Sequence, residues 1–516
     1  MKTITLAWTE ASEASGVTYT VCQKDTSQDD DCLALATVTD TLSASVSVGS
    51  LVRALSSDYF ISASDGTHTA RSNAESLTVD TANQMIGYFK TSKLGFYDQF
   101  GSSVALSDDG LTLAVGAPNE SGGMAGIQFG TVEEGQEAIA SGAVYLFKRE
   151  SDRWSLSAYI KASNPGSSDR FGSSVSLSAD GSTLAVGAPF EDGGTAGIQT
   201  GTMAEGTEVS ESGAVYLFDL SDSDRHHWSQ SAYVKAPNPG KDDNFGESIV
   251  LSKDGSTLAV GAPREDGGIA GIHTVGIPLG RIGQVTDGSD SGAVYLFKRE
   301  SGSWLQSAYI KASNLGSNEY FGVSMALSAD GSTPAVGTPF EDGGTAGIQT
   351  DTVDDGAEAR DSGAVYLFDF SDSDPSHWSQ SAYIKASTSG SYDHFGASVS
   401  LSADGLTLAV GAPNEDGDTA GIQANVVDEG TESLDSGAVY LFDLSNSERS
   451  HWSQSAYVKA PNPGNGDLFG VGLALSADGS TLVVGAPYED GDTAGIQTGT
   501  VEEGGEAINS GAVYLY

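Results

Sequence analysis

From Thr3 to Val79 apolar and polar positions alternate in short runs, TITLAW, VTYTVCQ, CLALATV, ASVSVGSL, DYFISAS and ESLTV, parted by polar turns. A period of two places successive side chains on opposite faces of a strand, so these runs predict a small antiparallel β-sandwich over residues 1–82. DTANQ, Asp80–Gln84, reads as a linker. Beyond it the pattern becomes a long repeat. Phe-Gly falls at 100, 171, 245, 321, 395 and 469, at steps of 71, 74, 76, 74 and 74 residues. The same four runs follow each time; in the second repeat they are FGSSVSLS, TLAVGAP, SGAVYLF and WSQSAYVKA. Between the first two lies Ala179-Asp180-Gly181, a hairpin turn whose glycine can take the left-handed conformation such a loop demands. Four short strands per period, with no helical periodicity, predict an all-β fold whose second part, residues 85–516, is a β-propeller of four-stranded blades; a solenoid is the alternative.

The sixth repeat ends at SGAVYLY, Tyr516, without a fourth run, while an unmatched fourth-strand look-alike, MIGYFKTS at 85–92, precedes the first Phe-Gly. Joined to the last blade, that strand would close six blades and leave no sheet edge open. Seven blades in a longer parent chain is the other option, and an opening that reads as a strand inside a domain suggests such a parent.

The ordered pair FGxSVxLSxDGxTLAVGAP and SGAVYLF resembles the FG-GAP repeat of integrin α-subunit propellers, and more closely the bacterial form in secreted and surface proteins. The first segment resembles a fibronectin type III module, with Trp8 as its early core tryptophan, YTVCQK as a central strand, and Leu51 followed by Tyr59 as its tyrosine corner. The resemblance implies adhesion or binding at the cell surface or outside the cell. It also implies that ligands meet the face bearing the long loops after Gly-Ala-Pro and the links before Phe-Gly. A propeller platform by itself does not specify an activity.

Composition narrows the partners. Seventy acidic residues against 24 basic ones give a net charge of −46, which disfavours nucleic acid. Divalent cations, basic partners, a salty medium or plain solubility all suit such a surface. No apolar run is long enough to span a membrane, and the N-terminus lacks the pattern of a secretory signal. Cys22 and Cys32 flank a polar turn between two β-like runs, so either a cross-strand disulfide or two free thiols is expected.

The integrin-type calcium site needs several carboxylates in the first hairpin. Here Ser176 and Ser178 stand at two of its positions, which leaves Asp180 alone. Asp109, Asp180, Asp254, Asp330, Asp404 and Asp478 are therefore expected to cap their own turns. The opposite face keeps more acids. Two residues before each Phe stands Asp98, Asp169, Asp243, Glu319, Asp393 or Asp467, while the residue between varies through Gln, Arg, Asn, Tyr, His and Leu. After Gly-Ala-Pro come Glu120, Glu191-Asp192, Glu265-Asp266, Glu341-Asp342, Glu415-Asp416 and Glu489-Asp490, with Asp418 and Asp492 added in the last two. One expectation is that each blade pairs these acids around a calcium ion that orders a loop of about 25 residues. The other is that the acid before Phe-Gly accepts backbone N–H groups while the Glu-Asp pairs are solvated.

The third repeat departs from the pattern: Arg264 follows its Pro, and the loop carries His273 and Arg281, an asymmetric candidate for ligand contact. In the fourth, Pro334 replaces Leu and Thr338 replaces the Ala of Gly-Ala-Pro; Pro334 is expected to open its strand and weaken the blade. Seven histidines show no metal spacing, and no Gly-x-Ser-x-Gly elbow occurs. The sequence thus points to a non-enzymatic binding protein for a protein or glycan ligand. A secreted polysaccharide hydrolase, which needs one unequal carboxylate pair, and a structural spacer are the alternatives.

Overall fold

The computed structural model describes residues 2–10, 15–24, 32–48, 58–76, 96–129, 135, 138–150, 153–200, 206–221, 227–266, 269–274, 288–314, 316–350, 359–370, 378–423, 433–445, 451–490 and 511–516. The chain divides into two compact units, the first built on Met1–Phe89 and the second on Lys90–Gly491 and Glu506–Tyr516. Among the described residues all regular structure is strand, and no helix is long and apolar enough to cross a membrane.

In the first unit Lys2–Ala7 pairs antiparallel with Ser43–Val48. A second sheet runs Cys32–Thr39, Thr18–Lys24, Asp58–Ser64, Thr69–Arg71, with Glu75–Ser76 also on Asp58–Ser64. Alternation puts Val21, Ala44, Val46 and Tyr59 into one buried cluster, with Leu6 and Trp8 packed on it. Cys22 and Cys32 are joined as a disulfide across the hairpin strands, with Cα atoms 4.9 Å apart. Leu51, one half of the expected tyrosine corner, lies outside the described residues, as does the proposed closing strand 85–92.

The second unit repeats one sheet. In the second repeat the strand order is Ser174–Leu177, Thr183–Ala188, Ala214–Leu220, Trp228–Lys235 and then Gly197–Gln199. The expected blade had four strands; the observed one has five. The Gly-Ile-Gln run inside the long loop crosses to the outer edge, where Ile198 pairs with Val234 and Gln199 with Tyr233. The first five repeats share this plan, and the described part of the sixth has three strands. Pro334 does open its strand, Pro334–Thr338.

Successive sheets pack face to face. Val215, Leu217, Ala232 and Val234 of the second repeat share a buried cluster with Leu258, Val260, Tyr295 and Phe297 of the third. Each joint is thus aliphatic on one side and largely aromatic on the other, stabilised by apolar burial. Two sets of bonds sew the joints. Ser103, Ser174, Ser248, Ser324 and Ser398 each donate a hydroxyl to the Phe-Gly glycine carbonyl of the following repeat, at 2.5–2.7 Å. At the other end the hairpins link backbone to backbone, Asp108 N–H to Ala179 O and so on to Ala403 N–H and Ala477 O.

The Gly of Gly-Ala-Pro is required at these joints: a Cβ at Gly187 would lie 2.0 Å from Gly246 O. Gly485, in the sixth repeat, has nothing nearer to such a Cβ than 3.8 Å. Val104 and Leu106 of the first repeat and Val513 of the sixth are exposed, whereas Val215, the counterpart of Val513, is fully buried. Among the described residues no backbone bond returns from Ala477 to Asp108.

Candidate functional site

The meander puts the long loops and the links before Phe-Gly at one end of every sheet. The glutamate after Gly-Ala-Pro turns inward there and meets a lysine from the end of the fourth strand. Lys161 bonds Glu120 at 2.6 Å, Lys235 Glu191 at 2.7 Å, Lys311 Glu265 at 2.6 Å, Lys385 Glu341 at 2.5 Å and Lys459 Glu415 at 2.5 Å. All five lysines are fully buried. Each Nζ also donates to the serine that opens Ser-Gly-Ala-Val: Ser141, Ser212, Ser291, Ser362 or Ser436. The second Glu191 oxygen accepts from Asn164 Nδ2 at 3.1 Å, and the Gly193 N–H adds to Oε2. A charge so fully hydrogen-bonded is tolerable in the interior; either partner alone would not be.

The acid before Phe-Gly folds onto its own turn. Asp169, Asp243, Asp393 and Asp467 accept the N–H of Gly166, Gly240, Gly390 and Gly464 at 2.7–2.8 Å. A Cβ at Gly166 would sit 2.6 Å from the Asp169 carboxylate, so a larger residue there would push the carboxylate off its bond. Asp169 lies in the field of Glu191, Asp192 and Lys235, and burial above all pushes it up to about 7. Asp243 is likewise pushed up to about 7 by burial and by Glu265. Glu319 is buried in the same position, and Asp98 is partly exposed. The second acid of each pair latches the far end of the long loop: Asp192, Asp266, Asp342 and Asp416 accept the N–H of Glu211, Asp290, Asp361 and Asp435 at 2.8–2.9 Å.

In the second and third repeats the two acid sets lie in each other's electrostatic field, Asp169 with Glu191 and Asp192 and Asp243 with Glu265 and Asp266, and a lysine ammonium sits on the glutamate. The glutamates are not solvated. Among the described residues no cluster of three or more His, Cys, Asp or Glu side chains is arranged to hold a metal ion. Glu489 is buried and accepts from Asn462 Nδ2 at 3.0 Å; Asp490 is exposed and Asp418 half-buried. Asp492 and Arg281 lie outside the described residues. The lysines were the residues missed. Their cue was a cation recurring inside an apolar strand, Tyr-Ile-Lys-Ala or Tyr-Val-Lys-Ala, in a chain with only 24 basic residues. The hairpin acids behave as turn caps: Ser178 Oγ and the Ser182 N–H donate to Asp180 Oδ1 at 2.7 and 2.9 Å.

Above this scaffold the variable residues form a rim. Gln99, Arg170, Asn244, Tyr320, His394 and Leu468 all hold left-handed backbone, φ 53–57°, a conformation that non-glycine residues occupy at a cost. Their neighbours are the residues after Gly-Ala-Pro, which also vary, through Asn, Phe, Arg and Tyr. Arg170 lies over the Phe190 ring at 4.6 Å, and Tyr320 packs edge-on to Phe340 at 5.2 Å. Phe340 also meets His394 of the next repeat at 4.9 Å, and Asn244 donates to Pro189 O of the preceding one at 3.2 Å. Arg264 belongs to this rim, where it and Arg170 both lie in electrostatic reach of Glu247. His273 does not: it sits on the outermost strand, Gly271–Thr274, beside Tyr309 and bonded to Ile269 O. The expected third-repeat patch is thereby divided.

Comparison with known proteins agrees with this repeat. Three segments, 154–218, 378–442 and 452–516, match the FG-GAP repeat. No curated protein matches the chain. Among solved structures, the Dos1 propeller is 12% identical with a TM-score of 0.36, covering 75% of this chain and 89% of that one. The periplasmic gluconolactonase PpgL of Pseudomonas aeruginosa is 12% identical with a TM-score of 0.31, covering 87% and 98%. Hydrazine synthase of Kuenenia stuttgartiensis is 11% identical with a TM-score of 0.31, covering 77% and 96%. At these scores the likeness carries nothing over to this chain. What the FG-GAP repeats supply is a uniform buried support, and above it a rim in which each repeat presents different chemistry: arginine on phenylalanine, a tyrosine-phenylalanine-histidine strip, or an aliphatic side chain.

Proposed function

We propose that this is a non-enzymatic recognition protein of the cell surface or extracellular space. In it a fibronectin type III-like sandwich precedes a six-bladed FG-GAP propeller, and a protein or glycan ligand binds the rim on the loop-bearing face. One observation carries the proposal. Within the repeats the acid, glutamate and serine recur almost unchanged, while the six positions before Phe carry six different residues, exposed or half-buried in every repeat but the third, where Asn244 is buried. A scaffold needs its joints repeated; a recognition surface needs its contacts differentiated. The Cys22–Cys32 disulfide suits an oxidising compartment. A hydrolase would need one unequal carboxylate pair facing a cleft, whereas five of the six glutamates here face lysines. Calcium held between those acids is not part of the proposal, because in five repeats a lysine ammonium already pairs with the glutamate.

The test is binding of the full chain to protein and glycan arrays beside a variant with Arg170, Tyr320 and His394 all changed to Ala. A ligand bound by the first and lost by the second, at equal melting temperatures, supports the proposal. Absence of any ligand, or equal binding by both chains, refutes it.

A further inference from the structure

We propose that the rim of the fourth and fifth repeats, centred on His394, binds a neutral saccharide; this rests on the recognition function proposed above and gives one sector of the rim its ligand class. The geometry begins at Asp435. Its carboxylate can only accept, so the Asn414 amide turns Nδ2 toward Asp435 Oδ1 at 2.8 Å. That orientation leaves Asn414 Oδ1 facing His394 Nδ1, also at 2.8 Å. An amide oxygen only accepts, so Nδ1 carries the proton. In the neutral ring Nε2 is then a bare acceptor, with no partner among the described residues. Three side chains from two loops of one repeat thus fix the tautomer of a single imidazole.

The ring stands beside an aromatic strip. His394 is 4.9 Å from Phe340, and Phe340 is 5.2 Å from Tyr320, all three half-buried at the rim. Half-exposed aromatic faces next to an oriented polar acceptor are what a sugar ring requires, since its C–H faces stack and its hydroxyls must find partners of fixed direction. Two carboxylates, Asp435 in the relay and Asp361 in the field of His394 and Arg360, disfavour an acidic sugar here. The sector is also unique, because no other repeat has histidine before Phe.

The experiment is calorimetric and NMR titration of the full chain with maltohexaose, cellohexaose, xylohexaose and mannohexaose, with hexagalacturonate as the acidic control. At least one neutral oligosaccharide binds and hexagalacturonate does not; His394→Ala and Asn414→Ala each weaken binding about tenfold or more at unchanged melting temperature. Nitrogen NMR of His394 shows the Nδ1-protonated tautomer, an Nε2 signal that moves on sugar addition, and loss of the single tautomer in Asn414→Ala. Failure of all four neutral sugars to bind, or binding indifferent to His394→Ala, overturns the inference. A protein ligand that depends on His394 would overturn it too while leaving the recognition function standing.

Discussion

The hydroxyl of Ser174 donates to the carbonyl of Gly246, 2.7 Å away and one repeat further along the chain. The same two atoms meet Gly187, whose missing side chain leaves room for the approach. Gly187→Ala would press a methyl into a backbone carbonyl and is expected to cost about 1–3 kcal/mol. Ser174→Ala, which only unties the carbonyl, is expected to cost about 1 kcal/mol. Denaturant unfolding of both variants measures this, and a harmless Gly187→Ala would mean that the joint is looser than described.

Lys235 and Glu191 should not tolerate separation. Lys235→Met leaves a buried carboxylate without its cation, and a loss of about 3–5 kcal/mol is expected. Replacing both, Lys235→Met with Glu191→Leu, should recover a large part of that loss, because the desolvation penalty leaves with the charges. A double variant no better than the single one would show that Asn164, Ser212 and Gly193 depend on the pair for their own placement.

Stability should fall as pH rises from mildly acidic to mildly basic. Asp169 and Asp243 are pushed up to about 7, mainly by burial, against about 3.9 in an unfolded chain. The folded state therefore holds their protons more tightly. The stability they contribute is complete below about pH 4 and is lost as pH rises through 7. On the acid side, serine hydrogen bonds hold Asp478 down to about 2 and also keep Asp254 and Asp330 low, although burial of the latter two works the other way. Their contribution is present above the unfolded value and is lost toward more acid pH. Melting curves should thus peak near about pH 4, and Asp169→Asn with Asp243→Asn should flatten the decline between about pH 4 and pH 7. A melting temperature that climbs from pH 5 to pH 8 would contradict this.

The fourth repeat offers a stabilising change. Thr338 is fully buried, and its hydroxyl has no hydrogen-bond partner, where the other repeats have alanine. Thr338→Ala is expected to raise the unfolding free energy by about 1 kcal/mol. Pro334→Leu should add to it, because the second-to-third-strand ladder begins only at Ala335 here but includes Leu184 in the second repeat. Unfolding midpoints no higher than that of the parent chain would show that a water or a strained neighbour already satisfies the site.

Much of the fold was legible because it is local and repeated. The hairpin at Ala179-Asp180-Gly181, the strand runs and the opening of a strand at Pro334 all follow from patterns a few residues long. The outer strand escaped notice because Gly197-Ile198-Gln199 is too short, within a glycine-rich loop, to show alternation; only Trp228–Lys235 as a partner makes it a strand. The candidate site was half legible. Acids were visible, but their partners were not: Lys235 lies 44 residues beyond Glu191, so no spacing rule links them. Asp192 looked like surface charge, since its acceptor role depends on where a long loop returns.

The joint seen at Ser174 and Gly246 has a bearing on how such a surface can change. Because five neighbouring pairs of repeats meet through the same atoms, a repeat copied or deleted whole, in frame, presents its neighbours with the contacts they already make. Recombination between the repeated segments would then reshuffle the order of arginine, tyrosine and histidine along the rim while keeping these joints, leaving only rim contacts that cross repeats, such as Phe340 on His394, to be remade. Specificity in this protein can be rewritten by rearranging paragraphs rather than letters.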